Sequence, residues 1–119
     1  MGFADTIIPS PNPEPPEANP QFSASGAYAD AQSGAEIQET CDPLLSYYIT
    51  NIVVSTETAG WIQLISGELE LIPPIYLGDN GSGGPTYTTP IQVPAGGNIC
   101  VSSSVTGNHS VMVNGYLAG

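Results

Sequence analysis

The pattern of apolar and polar positions divides this chain near Asp42-Pro43. From Leu44 onward, short runs rich in β-branched and aromatic residues alternate with turn residues, which is the chemistry of strands and hairpins. The runs are Tyr47 to Ser55, Trp61 to Ile65, Leu69 to Ile72, Ile75 to Leu77, Tyr87 to Val93, Ile99 to Val105 and His109 to Leu117. Thr58-Ala59-Gly60, Ser66-Gly67, Pro73-Pro74, the glycine loop from Asp79 to Pro85, Pro94 to Gly97 and Thr106-Gly107-Asn108 separate them. Short strands with turn signals every ~8–12 residues predict an all-β antiparallel sandwich or barrel. No helix of normal length fits after residue 43. In the last run, Val111, Val113 and Tyr116 are expected on one face and Met112 and Asn114 on the other.

The first 42 residues read differently. Six of the 12 prolines fall between Pro9 and Pro20, and proline fixes φ and donates no N–H, so neither a helix nor an inner strand is expected there. At ~3.1 Å per residue, polyproline II would carry the chain roughly 60 Å from Phe3 to Phe22. Linkers tend to be polar throughout, whereas this one is bracketed by Phe3, Ile7, Ile8 and Phe22, which with Tyr28 are the candidate anchors of an extended arm. Residues 23–42 are small and acidic and predict mostly extended or irregular chain, with at most a short helical turn near Ala35 to Thr40. The expected organisation is an arm over 1–42 and a β-domain over 43–119.

A β-domain of about 75 residues buries little surface and is marginal alone, so oligomerisation is expected to complete it. Adjacent apolar residues such as Tyr47 with Tyr48 and Leu64 with Ile65 offer a second face to bury. Tyr47, Tyr48, Trp61 and Tyr76 are the candidate subunit contacts.

Charge narrows the partners. The 119 residues include no Lys or Arg, 11 acidic residues and one His, for a formal charge of −11. Nucleic-acid phosphates and anionic lipid are met mainly by Lys and Arg, so neither is an expected partner. The start lacks the positive and apolar regions of a signal peptide, and no stretch approaches the ~18 apolar residues of a membrane span. Met1-Gly2 with Thr6 is a chance-level match to a myristoylation start. Cys41 and Cys100 are read as two buried thiols; a disulfide between them would instead close a loop of about 60 residues.

Candidate chemistry is sparse. His109 stands beside Ser110, but neighbours on a strand point to opposite faces, which defeats a nucleophile–base pair. Glu68 and Glu70 have the spacing of a carboxylate pair on one strand face, more simply a solvated face. The Asp79–Gly83 loop lacks the further acidic ligands of a calcium loop. Asn80-Gly81-Ser82 and Asn108-His109-Ser110 match the glycosylation sequon by chance. No catalytic residue, metal site or cofactor is expected, and the chain is read as a binding module rather than an enzyme.

Four segments carry a family resemblance: Ile49 to Ser55, Pro90 to Ile99, Val101 to Ser104 and His109 to Tyr116. Together they resemble the jelly-roll β-domains of tailed-bacteriophage decoration, or cement, proteins. The resemblance implies a jelly-roll-like sandwich, a homotrimer on the outside of a virion, the major capsid protein as partner, and N-terminal arms that clamp neighbouring capsid subunits. The absence of basic residues departs from many members and leaves the contacted capsid surface open. The alternative is a receptor- or glycan-binding module of a phage tail or fibre.

Overall fold

The computed structural model describes residues 19–119, so Phe3, Ile7, Ile8 and most of the proline-rich arm lie outside the described residues. The described chain forms two antiparallel sheets, face to face, with no helix among the described residues. Ten strands follow in order: β1 (Gln21–Tyr28), β2 (Ser33–Gln38), β3 (Ser46–Thr56), β4 (Gly60–Ser66), β5 (Leu69–Glu70), β6 (Ile75–Leu77), β7 (Ser82–Gly83), β8 (Thr86–Gln92), β9 (Ile99–Ser103) and β10 (His109–Ala118). The first sheet runs β1-β10-β3, with β7 and β8 pairing successive stretches of the far side of β3. The second runs β2-β9-β4, with β5 and β6 sharing the far side of β4.

Two corrections follow. Residues 21–38 are not arm: β1 pairs with β10 over eight consecutive positions and β2 pairs with β9, so the sandwich begins at Gln21 rather than at Pro43. Of the stretch 23–42, expected to be mostly extended or irregular with at most a helical turn near Ala35, the residues up to Tyr28 and from Ser33 to Gln38 are strand. The domain is accordingly larger than the ~75 residues that made a lone monomer look marginal.

The core lies between the sheets. Ile49, Ile52 and Val54 of β3 and Val111 and Val113 of β10 face Ile62 and Leu64 of β4 and Ile99 and Val101 of β9, all buried. Fully burying one such side chain contributes about 1.5–3 kcal/mol, so these four central strands carry most of the stabilisation. One β-bulge keeps β3 aimed correctly. Asn51 faces Asn114 and Ile49 faces Gly115, which leaves Thr50 as the extra residue, its hydroxyl donating to the Asn114 carbonyl at 3.1 Å. The insertion reverses the parity of β3, so Tyr47 and Ile49 point inward before it and Ile52, Val54 and Thr56 after it.

The last strand also differs in one place from its expected alternation. Val111, Val113 and Gly115 face inward, and Tyr116 stands on the outer face with Met112 and Asn114, stacked on Tyr48 at 5.2 Å between centroids and 8° between planes.

Candidate functional site

Strand alternation builds the outer face of the first sheet row by row across β1, β10 and β3. The rows are Ala27–Ser110–Ser55, Ser25–Met112–Val53, Ser23–Asn114–Asn51 and Gln21–Tyr116–Tyr48. No row contains a charged residue. The Ser55 and Ser110 hydroxyls are 2.7 Å apart. Val53 and Met112 in the middle row are 48% and 44% exposed, unusually open for large apolar side chains at the centre of a sheet.

Beyond the Ser55–Ser110 row the face ends in a cleft of about 590 Å³ walled by Tyr28, Glu57, Asn80, Asn108 and His109. Glu57 accepts a hydrogen bond from the Asn108 side chain at 3.1 Å. The loop at its floor is tied down: the Asp79 carboxylate accepts from the Ala59 N–H at 2.8 Å, and Asn80 adopts a left-handed φ of 53°. Hydroxyls, amides and one carboxylate around an aromatic ring can bind a neutral polar ligand. Among the described residues no three His, Cys, Asp or Glu side chains converge to hold a metal.

His109 is buried, with Nδ1 2.8 Å from the Gly107 carbonyl and Nε2 2.8 Å from the Ser103 hydroxyl. A carbonyl only accepts, so Nδ1 carries the proton. In the neutral ring Nε2 is then the acceptor and the Ser103 hydroxyl donates to it, while Ser103 Oγ accepts from the Gln32 N–H at 3.0 Å. A serine donating to a histidine has the outline of a nucleophile and its base. Here the serine is 4% exposed and lies between the sheets, with its oxygen already engaged by two partners. What the arrangement does is lock β9, β10 and the β1–β2 connection together. Ser103→Ala would leave the His109 Nε2 and the Gln32 N–H without this partner. We expect it to lower stability by about 1–3 kcal/mol, the cost of leaving the buried His109 nitrogen unsatisfied, read as a fall in the urea midpoint at unchanged slope. Ser110, the sequence neighbour of His109, points outward as expected.

The anchors and contacts expected from sequence are dispersed. Phe22 is not an arm anchor: it is 9% exposed, and its ring lies 4.8 Å from that of Tyr47 in the core. Alternation along β1 turns Phe22 inward with Ala24. Tyr28, at the end of β1, packs on the core and against His109, with ring centroids 5.6 Å apart. Tyr47 is no subunit contact either: it is buried, its hydroxyl donating to the Glu39 carbonyl at 2.8 Å and accepting from Gln38 at 3.0 Å. Tyr48 does reach the surface, on the first sheet. Trp61 and Tyr76 stand opposite one another in register on the outer face of the second sheet, Tyr76 being largely exposed. Glu70, also on that sheet, takes a hydrogen bond from Gln63.

Both cysteines are free thiols. Burial, and then the Glu36 carboxylate, push the Cys100 thiol above its ordinary value, so it stays protonated and unreactive at neutral pH. Burial likewise raises the Tyr28 and Tyr87 phenols. The residues missed from sequence are Val53, Met112 and Tyr116. Their signal was present, as apolar residues in the polar phase of alternating strands, together with the absence of any acid beside them.

Comparison with known proteins finds no matching family model, no matching curated sequence and no matching solved structure.

Proposed function

We propose that the chain is a structural virion protein that decorates the outside of a phage capsid. In this reading it cements capsid subunits through its N-terminal arm and a homotrimeric β-domain. The observation that carries the reading is the strand order. The paths β1-β10-β3-β7/β8 and β2-β9-β4-β5/β6 interleave two antiparallel sheets so that each of the first three strands passes to the opposite sheet. That order supports the jelly-roll reading, an arrangement used by viral capsid domains and lectins alike. Fold alone does not choose between those uses; the proline-rich segment leading into β1 favours the capsid. An arm works by area and reach, and several arms on one oligomer act through effective concentration.

The experiment is co-sedimentation of the full chain with capsids stripped of their outer proteins. Saturable binding at a fixed number of copies per capsid, with a rise in the temperature at which the capsid opens, is the expected result. No binding to any stripped capsid overturns the proposal. The cleft at the end of the first sheet favours one second reading, a receptor- or glycan-binding module of a tail or fibre. On that reading a glycan array lights up and Asn108→Ala, at the cleft wall, abolishes the signal.

A further inference from the structure

We infer that copies of this chain associate through the charge-free outer face of β1, β10 and β3. This deepens the proposed homotrimer by naming the face that joins its copies and rests on that part of the reading; capsid binding is tested separately.

The chain has no Lys and no Arg. The one His is buried and engaged at both ring nitrogens. A carboxylate placed between two copies therefore meets no basic side chain from either, and desolvating an unpaired carboxylate is costly. Both sides of a self-interface must then be free of acids. The second sheet fails this condition, with exposed Glu36 on β2 and Glu70 on β5. The remaining described acids stand in the connections, Glu57 and Asp79 among them. In the second sheet the acid-free strands β9, β4 and β6 are flanked by Glu36 on β2 and Glu70 on β5, whereas no strand of the first sheet carries a carboxylate.

The same face has the make-up of an interface centre. Met112 and Val53 form an exposed apolar pair in the middle row, beside a shallow hollow of about 310 Å³. Ser23, Ser25, Ala27 and Ser110 around them are small enough to admit a neighbour closely, and the Tyr48–Tyr116 stack forms a flat aromatic end. An apolar centre inside an uncharged polar rim is the anatomy of a stable contact.

The sheet edges agree. A long, regular, uncharged edge strand invites pairing, and proteins blunt edges they do not use. The β2 edge carries Glu36 and two register shifts against β9. Strands β5, β6 and β7 are only two or three residues long, and β8 is flanked by Pro85 and contains Pro90. Strand β1 has none of these devices. It runs eight residues without a charge or a register shift, and among the described residues its ladder partner is β10.

Sedimentation velocity of the full chain at micromolar concentration tests the inference. The wild type is expected to sediment as an oligomer. Met112→Glu is expected to sediment as a monomer that keeps its strand circular dichroism and cooperative melt. Tyr76→Glu, which adds the same charge to the outer face of the second sheet, should assemble as the wild type does. Met112→Ser, uncharged, should weaken assembly at least tenfold and decides the matter if Met112→Glu does not fold. A monomeric wild type overturns the inference, as does wild-type assembly by Met112→Ser or by a folded Met112→Glu. So does equal dissociation of Tyr76→Glu, which would make net charge rather than this face the cause.

Discussion

A chain lacking residues 1–18 is expected to fold as the full chain does and to lose its attachment to the capsid, whereas one lacking residues 1–22 is expected to lose stability as well. The boundary is set by contacts at the start of β1. The Leu117 N–H donates to the Pro20 carbonyl at 2.8 Å, and β1 begins at Gln21. A cut after residue 18 leaves both in place. A cut after residue 22 removes Phe22, whose ring packs on Tyr47, and emptying a Phe site in a core costs about 3–5 kcal/mol. On the proposed decoration function, attachment lies in the segment removed by both cuts. Phe3, Ile7 and Ile8 each add roughly 1.5–3 kcal/mol when buried, before the cost of ordering the arm. Since ~1.4 kcal/mol is a factor of ten, losing all three should weaken binding by at least about a hundredfold. Co-sedimentation with stripped capsids, beside urea melts of both truncations, reads the two effects separately. Full-affinity binding by the chain lacking residues 1–18 would move attachment to the sandwich and its cleft.

Gly115→Val is expected to be among the most damaging single substitutions in the sandwich. Gly115 sits opposite the bulge at Thr50, paired with Ile49 of β3. A Cβ there would run into the backbone carbonyl of Tyr48 and stand 2.8 Å from the Phe22 ring. Neither can withdraw cheaply, because the carbonyl belongs to the ladder and the ring is held in the core. Overpacking a close-packed interior costs about 1–3 kcal/mol and more where backbone must move; with a Cβ and two methyls added we expect at least about 4 kcal/mol, in the range reserved for severe core damage. Gly83→Ala, on a strand where a Cβ would meet nothing, is the matched control and should change stability by less than ~0.5 kcal/mol. Thermal melts of the two variants suffice. A Gly115→Val protein that melts with the wild type would mean that the bulge can relax, and the account of β3 parity would fail with it.

Much of the sandwich was legible in the sequence. Every run rich in Ile, Val, Tyr or Trp after Leu44 became a strand, with ends close to the Gly, Pro and Asn signals that bound it. Local chemistry suffices there because β-branched residues and turn residues act on their own backbone. Strands β1 and β2 escaped the same reading. Gln-Phe-Ser-Ala-Ser-Gly-Ala-Tyr and Ser-Gly-Ala-Glu-Ile-Gln are poor in strand-forming residues, and they are strands because β10 and β9 supply ladders for them. Phe22 shows the consequence: beside a run of prolines it looked like an anchor at the end of an arm, and in the fold it is a core residue.

Sequence by itself determined that the chain is all-β, that it has no basic side chain to offer a phosphate, and that its own acids cannot be paired within it by Lys or Arg. These follow from composition and from local backbone preference, which need no neighbour. Tertiary structure alone decided which face each residue occupies. Tyr47 and Tyr48 are adjacent in the chain, yet one is core and the other surface. Ile49 and Ile52 share the inner face only because the insertion at Thr50 reverses the alternation between them. Tertiary structure also joined Ser103 to His109, and it gathered Val53, Met112 and Tyr116 onto a face without a carboxylate. The physical reason is that a strand has a period of two and no memory of which side is inward. That choice is made by the partner strand across the ladder and by the opposing sheet across the core.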